Sequence, residues 1–111
     1  MEYMLFIATD SEPDQEDDTV PTVDEWFQEG QRRGIYKQGD RLRPAQDATT
    51  VRVRNGERLI TDGPFTETKE WIAGYDLIDC ADLDEAIDYA SRHPMARLGR
   101  IEVRPVWPLE G

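Results

Sequence analysis

The sequence is poor in the residues from which common sites are built. It has one cysteine, Cys80, and one histidine, His93. A lone cysteine excludes an intrachain disulfide and suits a reducing cytoplasm. Cys80 reads as a small buried residue, because no second thiol or basic cluster stands near it to favour a thiolate. No zinc, Walker or dinucleotide pattern occurs, so neither metal nor cofactor is expected. Basic residues are scarce as well: 13 Lys and Arg face 24 Asp and Glu, a net charge of −11. Such a chain is a poor partner for nucleic acid or anionic membranes, which need clustered cations. The N-terminal apolar run, Tyr3 to Ala8, is too short to span a bilayer and has no basic segment before it. These absences together predict a cytoplasmic protein. The acidic stretch Asp10 to Asp18 alternates like a calcium loop, but Gln15 stands where that loop needs glycine and Pro21 where it needs glutamate.

At 111 residues the chain is one domain, whose modest core a partner subunit would reinforce. Its charge is uneven. Residues 1–31 hold ten acids and no Lys or Arg, whereas residues 32–58 hold eight basic groups against three acids. Either these are solvated faces that complement each other, or the arginines line a pocket for an anionic small molecule.

Tyr3 to Ala8 is apolar on both strand faces, as a central strand is. Thr22-Val23-Asp24-Glu25 is a capping box that opens a helix with Val23, Trp26, Phe27 and Gly30 on one face. Gly30 lets that helix approach its neighbours closely, and Gly34 ends it. Ile35 to Gly39 reads as a short strand. Val51 to Arg54 and Glu57 to Ile60 flank Asn55-Gly56, a type I′ hairpin. Trp71 to Asp79 is a long strand, with Trp71, Ala73, Tyr75 and Leu77 on one face and Ile72, Gly74 and Ile78 on the other. Asp82 caps a second helix with the stripe Leu83, Ala86, Ile87 and Ala90, and Pro94 ends it. Arg100 to Val106 alternates as a closing strand. The order predicts an α+β fold: a ferredoxin-like split βαβ sandwich with an added β-hairpin. Helices cover one sheet face. The other face is partly apolar, which predicts a homodimer packed sheet to sheet.

The hairpin delivers the chain to Asp62-Gly63-Pro64-Phe65, a run of strand breakers tipped by an aromatic ring. With Tyr3-Met4-Leu5, Leu42-Arg43-Pro44, Gly74-Tyr75, Leu83-Asp84-Glu85-Ala86 and Glu102-Val103-Arg104-Pro105-Val106, this run resembles the YCII-related family, in the branch named for the Asp-Gly-Pro-Phe motif. The likeness implies a dimeric α/β barrel. Members are mostly of unknown function, and some lie beside genes for extracytoplasmic-function sigma factors, which implies a regulatory alternative. Enzymatic relatives in the wider group use a His–Asp pair with the histidine on the first helix. Here Val23 to Arg33 contains none.

Asp62 is the candidate catalytic acid or base; the competing role is to cap the turn's backbone N–H groups. Phe65 either plugs the core or stacks on a ligand. Lys69 either pairs with Glu70 in solvent or binds an anion. Arg52 and Arg104, on strands that a dimer would enclose, either bind an anion or pair with Glu102 or Asp76. Tyr75, with Tyr3, either offers a hydroxyl to the same cavity or packs ordinarily with its hydroxyl bonded at the edge. His93 is read as a capping or surface residue at a helix C-terminus. Two functions follow: a small-molecule-binding protein with cofactor-free acid–base chemistry, or a non-catalytic interaction module.

Overall fold

The fold is built around strand β1 (Glu2–Thr9), whose Tyr3, Leu5 and Ile7 are buried. The computed structural model describes residues 1–15, 18–63 and 72–109. After β1 come α1 (Val23–Arg32), β2 (Tyr36–Arg41), β3 (Thr49–Arg54) and β4 (Glu57–Asp62). Then follow β5 (Ile72–Asp79), α2 (Leu83–Ser91), the short α3 (Met95–Leu98) and β6 (Gly99–Pro105). Four strands form one antiparallel sheet in the order β2-β5-β1-β6. This mixed α+β connectivity is compatible with a ferredoxin-like arrangement. Among the described residues no helix is long and apolar enough to cross a membrane.

Helix α1 starts where its capping box sets it. The Thr22 hydroxyl accepts the Glu25 N–H (3.2 Å), and the Glu25 carboxylate accepts the Thr22 N–H (3.1 Å). Trp26 and Gly30 point into the core, while Val23 is exposed rather than inward. Asp82 caps α2 through the Glu85 N–H at 2.9 Å. The inward face of α2 is Ala86, Tyr89 and Ala90, and the expected members Leu83 and Ile87 lie half in solvent. Tyr89 fixes that rotation. Its hydroxyl donates to the Trp26 carbonyl (2.8 Å), and the Trp26 indole N–H donates back to the Tyr89 carbonyl (2.7 Å). The two rings stack at 4.2 Å. A buried hydroxyl needs such a partner, so the tyrosine outranks the leucine and isoleucine for the inward side.

The hairpin β3–β4 forms a two-stranded sheet of its own. Asn55 and Gly56 both have positive φ (51° and 78°), as a type I′ turn requires. Val51, Val53 and Ile60 on it are exposed. The radius of gyration of 16.2 Å exceeds the roughly 13 Å of a compact chain near this length, as an arm standing off the sheet would make it.

The sheet face away from the helices carries half-buried Met4, Phe6 and Leu77, with exposed Ile72, which a register shift between Ile7 and Ala8 sets against Ala8 instead of on the Gly74 and Ile78 face expected from alternation. It is less apolar than the sequence pattern suggested, because β6 adds Arg100, Glu102 and Arg104 opposite Ala8, Phe6 and Met4. Arg104 pairs with Glu102 at 2.8 Å and lies 5.5 Å over the Phe6 ring.

Candidate functional site

A cavity of about 580 Å³ opens between α1 and the β2–β5 half of the sheet. Its walls are aromatic: Trp26 and Phe27 come from α1, Tyr36 from β2. Asp76 and His93 also line it.

Asp76 reaches this space because β5 alternates. Gly74, Asp76 and Ile78 lie opposite Ile7, Leu5 and Tyr3 of β1, so a carboxylate sits in a row of core residues. Gly39 of β2 faces it. A Cβ at Gly39 would collide with the Asp76 Oδ1 and the Tyr75 carbonyl, and would stand 2.8 Å from the Tyr36 hydroxyl. Only glycine leaves room there. Tyr36 donates its hydroxyl to Asp76 Oδ1 at 3.2 Å. Burial pushes the Asp76 carboxyl up to about 6; the Asp40 charge adds to the rise, and the Tyr36 hydrogen bond opposes it. Burial and the Asp76 charge push the Tyr36 phenol up to about 12, so it remains a donor at neutral pH.

His93 is not a surface cap. It is 5% exposed and meets the Trp26 ring edge-on at 4.7 Å. The backbone turns into α3 at Pro94, and this brings the imidazole inward instead of leaving it at the end of α2. Burial lowers its pKa from 6.5 to about 4, outweighing any help from the helix dipole. Nδ1 accepts the Met95 N–H at 2.9 Å, so the neutral ring carries its proton on Nε2. Because His93 is the single histidine, its Hε1 resonance reports this directly. The expected NMR titration midpoint is near pH 4. A midpoint near the solvent value would put the imidazole outside the core.

The residues expected from sequence are scattered. Asp62 is an exposed strand end paired across to Thr49, and its carboxylate makes no hydrogen bond or ion pair among the described residues. Gly63 beside it takes the positive φ expected of the turn (102°), with its carbonyl held by Thr50 Oγ1 at 2.8 Å. Arg52 is exposed on the hairpin. Arg104 occupies the opposite sheet face and pairs with Glu102. Tyr75, opposite Phe6 of β1, is one of the residues along the cavity's border, and Tyr3 belongs to the core. Phe65 and Lys69 lie outside the described residues. Cys80 is buried, and burial raises its thiol to about 11.

Four of the acids in the first 31 residues pair with bases elsewhere in the chain. Asp14 pairs with Arg97 at 3.0 Å, Asp10 with Arg100, Glu29 with Arg92 and Glu2 with Lys37 at 3.7 Å. On the hairpin, Arg52, Arg54 and Arg58 meet no carboxylate among the described residues.

The sequence as a whole matches the YCII-related domain over residues 1–110. The chain belongs to the YCII-related family. A relative in Rhizobium meliloti (strain 1021), described as an uncharacterized protein, is 50% identical over 68 residues. That match spans 60% of this chain and 55% of the relative's own length. Within this YCII-related domain, then, a histidine and an aspartate line one cavity, although neither stands on the first helix. The available signal was Asp76 itself, a carboxylate at an inward position of an apolar strand, where burial requires a reason.

Proposed function

We propose that this YCII-related domain binds a small molecule in the cavity beneath α1 and moves a proton with Asp76, without metal or cofactor. The observation that carries this reading is a half-buried carboxyl, raised to about 6, facing an aromatic-walled space. A group titrating near neutral pH is suited to general acid–base work. Asp76 thus takes the role that the sequence suggested for Asp62. The lining favours a ligand with an aromatic or apolar body over an anion, since Asp24, Asp40 and Asp76 face only Arg41 among charged residues there. A second copy covering Met4, Phe6, Leu77 and Ile72 is part of the proposal, as is a cytoplasmic setting that keeps Cys80 reduced.

A fragment screen followed by amide-shift mapping tests the reading. Aromatic fragments are expected to move the Trp26 indole N–H and the Gly39 and Gly74 amides. Fragments that move only hairpin amides, or none, would refute it. The hairpin carries the second reading, a regulatory or interaction module. Val51, Val53 and Ile60 are apolar and exposed there, beside arginines that meet no carboxylate among the described residues. Under that reading hairpin substitutions abolish the biological effect, and cavity substitutions leave it intact.

A further inference from the structure

Two polar groups in the cavity are half used. Asp76 gives Oδ1 to the Tyr36 hydroxyl, and its Oδ2 takes no protein partner among the described residues. His93, nine-tenths buried, uses Nδ1 on the Met95 N–H, and its Nε2–H finds no partner among them either. Neither atom is among the described side-chain atoms that are sealed from solvent without a partner, so each is open to a water or a ligand. The same space therefore offers one acceptor and one donor between aromatic walls.

We propose that the substrate is a small enolisable carbonyl compound, whose α-proton Asp76 removes while the Nε2–H of His93 holds the carbonyl oxygen. This deepens the proton-transfer reading above and rests on it. Asp76 Oδ2 forms an O–H bond with the α-proton. The C–H pair becomes a C=C bond, and the carbonyl π pair moves to oxygen. The resulting enolate oxygen accepts the His93 hydrogen bond. A neutral imidazole is well matched to an enolate oxygen, because it stabilises the charge without surrendering its own proton, as an electrophilic histidine of lowered pKa does. When the proton on Asp76 is replaced from solvent before a hydron returns to the same carbon, the result is exchange with solvent. Returning it across a conjugated double bond gives an isomer. Neither route needs an oxidant or co-reactant.

The probe is 2-tetralone, an aromatic ketone with activated α-hydrogens, incubated with the full chain in D₂O and followed by proton NMR. Wild-type protein is expected to speed loss of the α-hydrogen signal at least tenfold over buffer. Asp76→Asn is expected to return it to the buffer rate. On labelled protein, 2-naphthol, which mimics the enol, is expected to shift the His93 Nε2 resonance. If 2-tetralone moves the Gly39 and Gly74 amides but exchanges at the buffer rate, the substrate class is wrong and the binding cavity survives. If exchange is fast but equal in Asp76→Asn, Asp76 is not the base, and the proposal falls. If the probe neither binds nor exchanges, the proposal also falls, and the fragment screen decides separately whether the cavity binds anything.

Discussion

Alanine at position 30 is expected to lower the free energy of unfolding by about 2–3 kcal/mol. For a chain of this size that is a fall of roughly 10–15 °C in melting temperature. The added Cβ would press on the Tyr89 hydroxyl, 2.7 Å from its Cζ and 3.1 Å from the Tyr36 Cβ. Tyr89 has nowhere to go, being fully buried and bonded to the Trp26 carbonyl while Trp26 bonds back. Moving it breaks that reciprocal pair, leaves buried polar groups unsatisfied and unstacks the ring from Trp26. Helix propensity works the other way, since alanine is favoured over glycine by ~1 kcal/mol, so a net loss measures the steric term. Combining Gly30→Ala with Tyr89→Phe removes the atom in closest conflict. The double variant should lose less than the sum of the single losses. Urea unfolding of the four proteins checks both statements; a Gly30→Ala variant within about 0.5 kcal/mol of wild type, a margin typical of an inconsequential substitution, would show that α1 is free to shift.

The sequence carried this part of the fold openly. Thr22 with Glu25, Asp82 with Glu85, and Asn55 with Gly56 are local devices whose partners lie within four residues, so spacing alone reveals them. Strand β1 was legible because burial on both sides erases polar alternation. The rotation of α2 was not legible: it depends on the bond from Tyr89 to a carbonyl 63 positions away. The cavity was hidden for the same reason. It needs Gly39 to give up its side chain so that Asp76, on another strand, can turn to Tyr36. The Asp62 turn stands out in the sequence for its density of turn-forming and charged residues, which marks where a chain bends more surely than where it encloses a ligand. The lone histidine was not legible as a core residue because helix ends near proline usually face solvent, and here Pro94 opens a further turn of helix that buries it.

Asparagine at position 76 is expected to make the protein more stable and less active at once. The folded carboxyl titrates near 6, against 3.8 for an aspartate in water. Below about pH 4 both folded and unfolded chains hold the proton, so wild type and variant should melt alike. As pH rises from there toward 6, the unfolded chain ionises while the folded one retains its proton, and wild-type stability falls. Above 6 the penalty is complete and constant. A shift of this size is worth about 3 kcal/mol in full; solvent reaches this half-buried carboxyl, so about 1–2 kcal/mol is the expected gain for Asp76→Asn at neutral pH. The asparagine carbonyl still accepts the Tyr36 hydroxyl, so packing is kept. His93 acts in an overlapping window with the opposite sign. Between pH 6.5 and 4 the unfolded imidazole takes up a proton that the folded one refuses, and stability falls as pH drops. That contribution is common to both proteins and cancels in their difference. Melting curves from about pH 3.5 to 8 should therefore show a gap that opens between pH 4 and 6 and then stays level. A variant less stable than wild type at pH 7 would make the carboxylate a structural group. A variant more stable yet unable to exchange the α-hydrogens of 2-tetralone would mean that stability is given up at this position for chemistry.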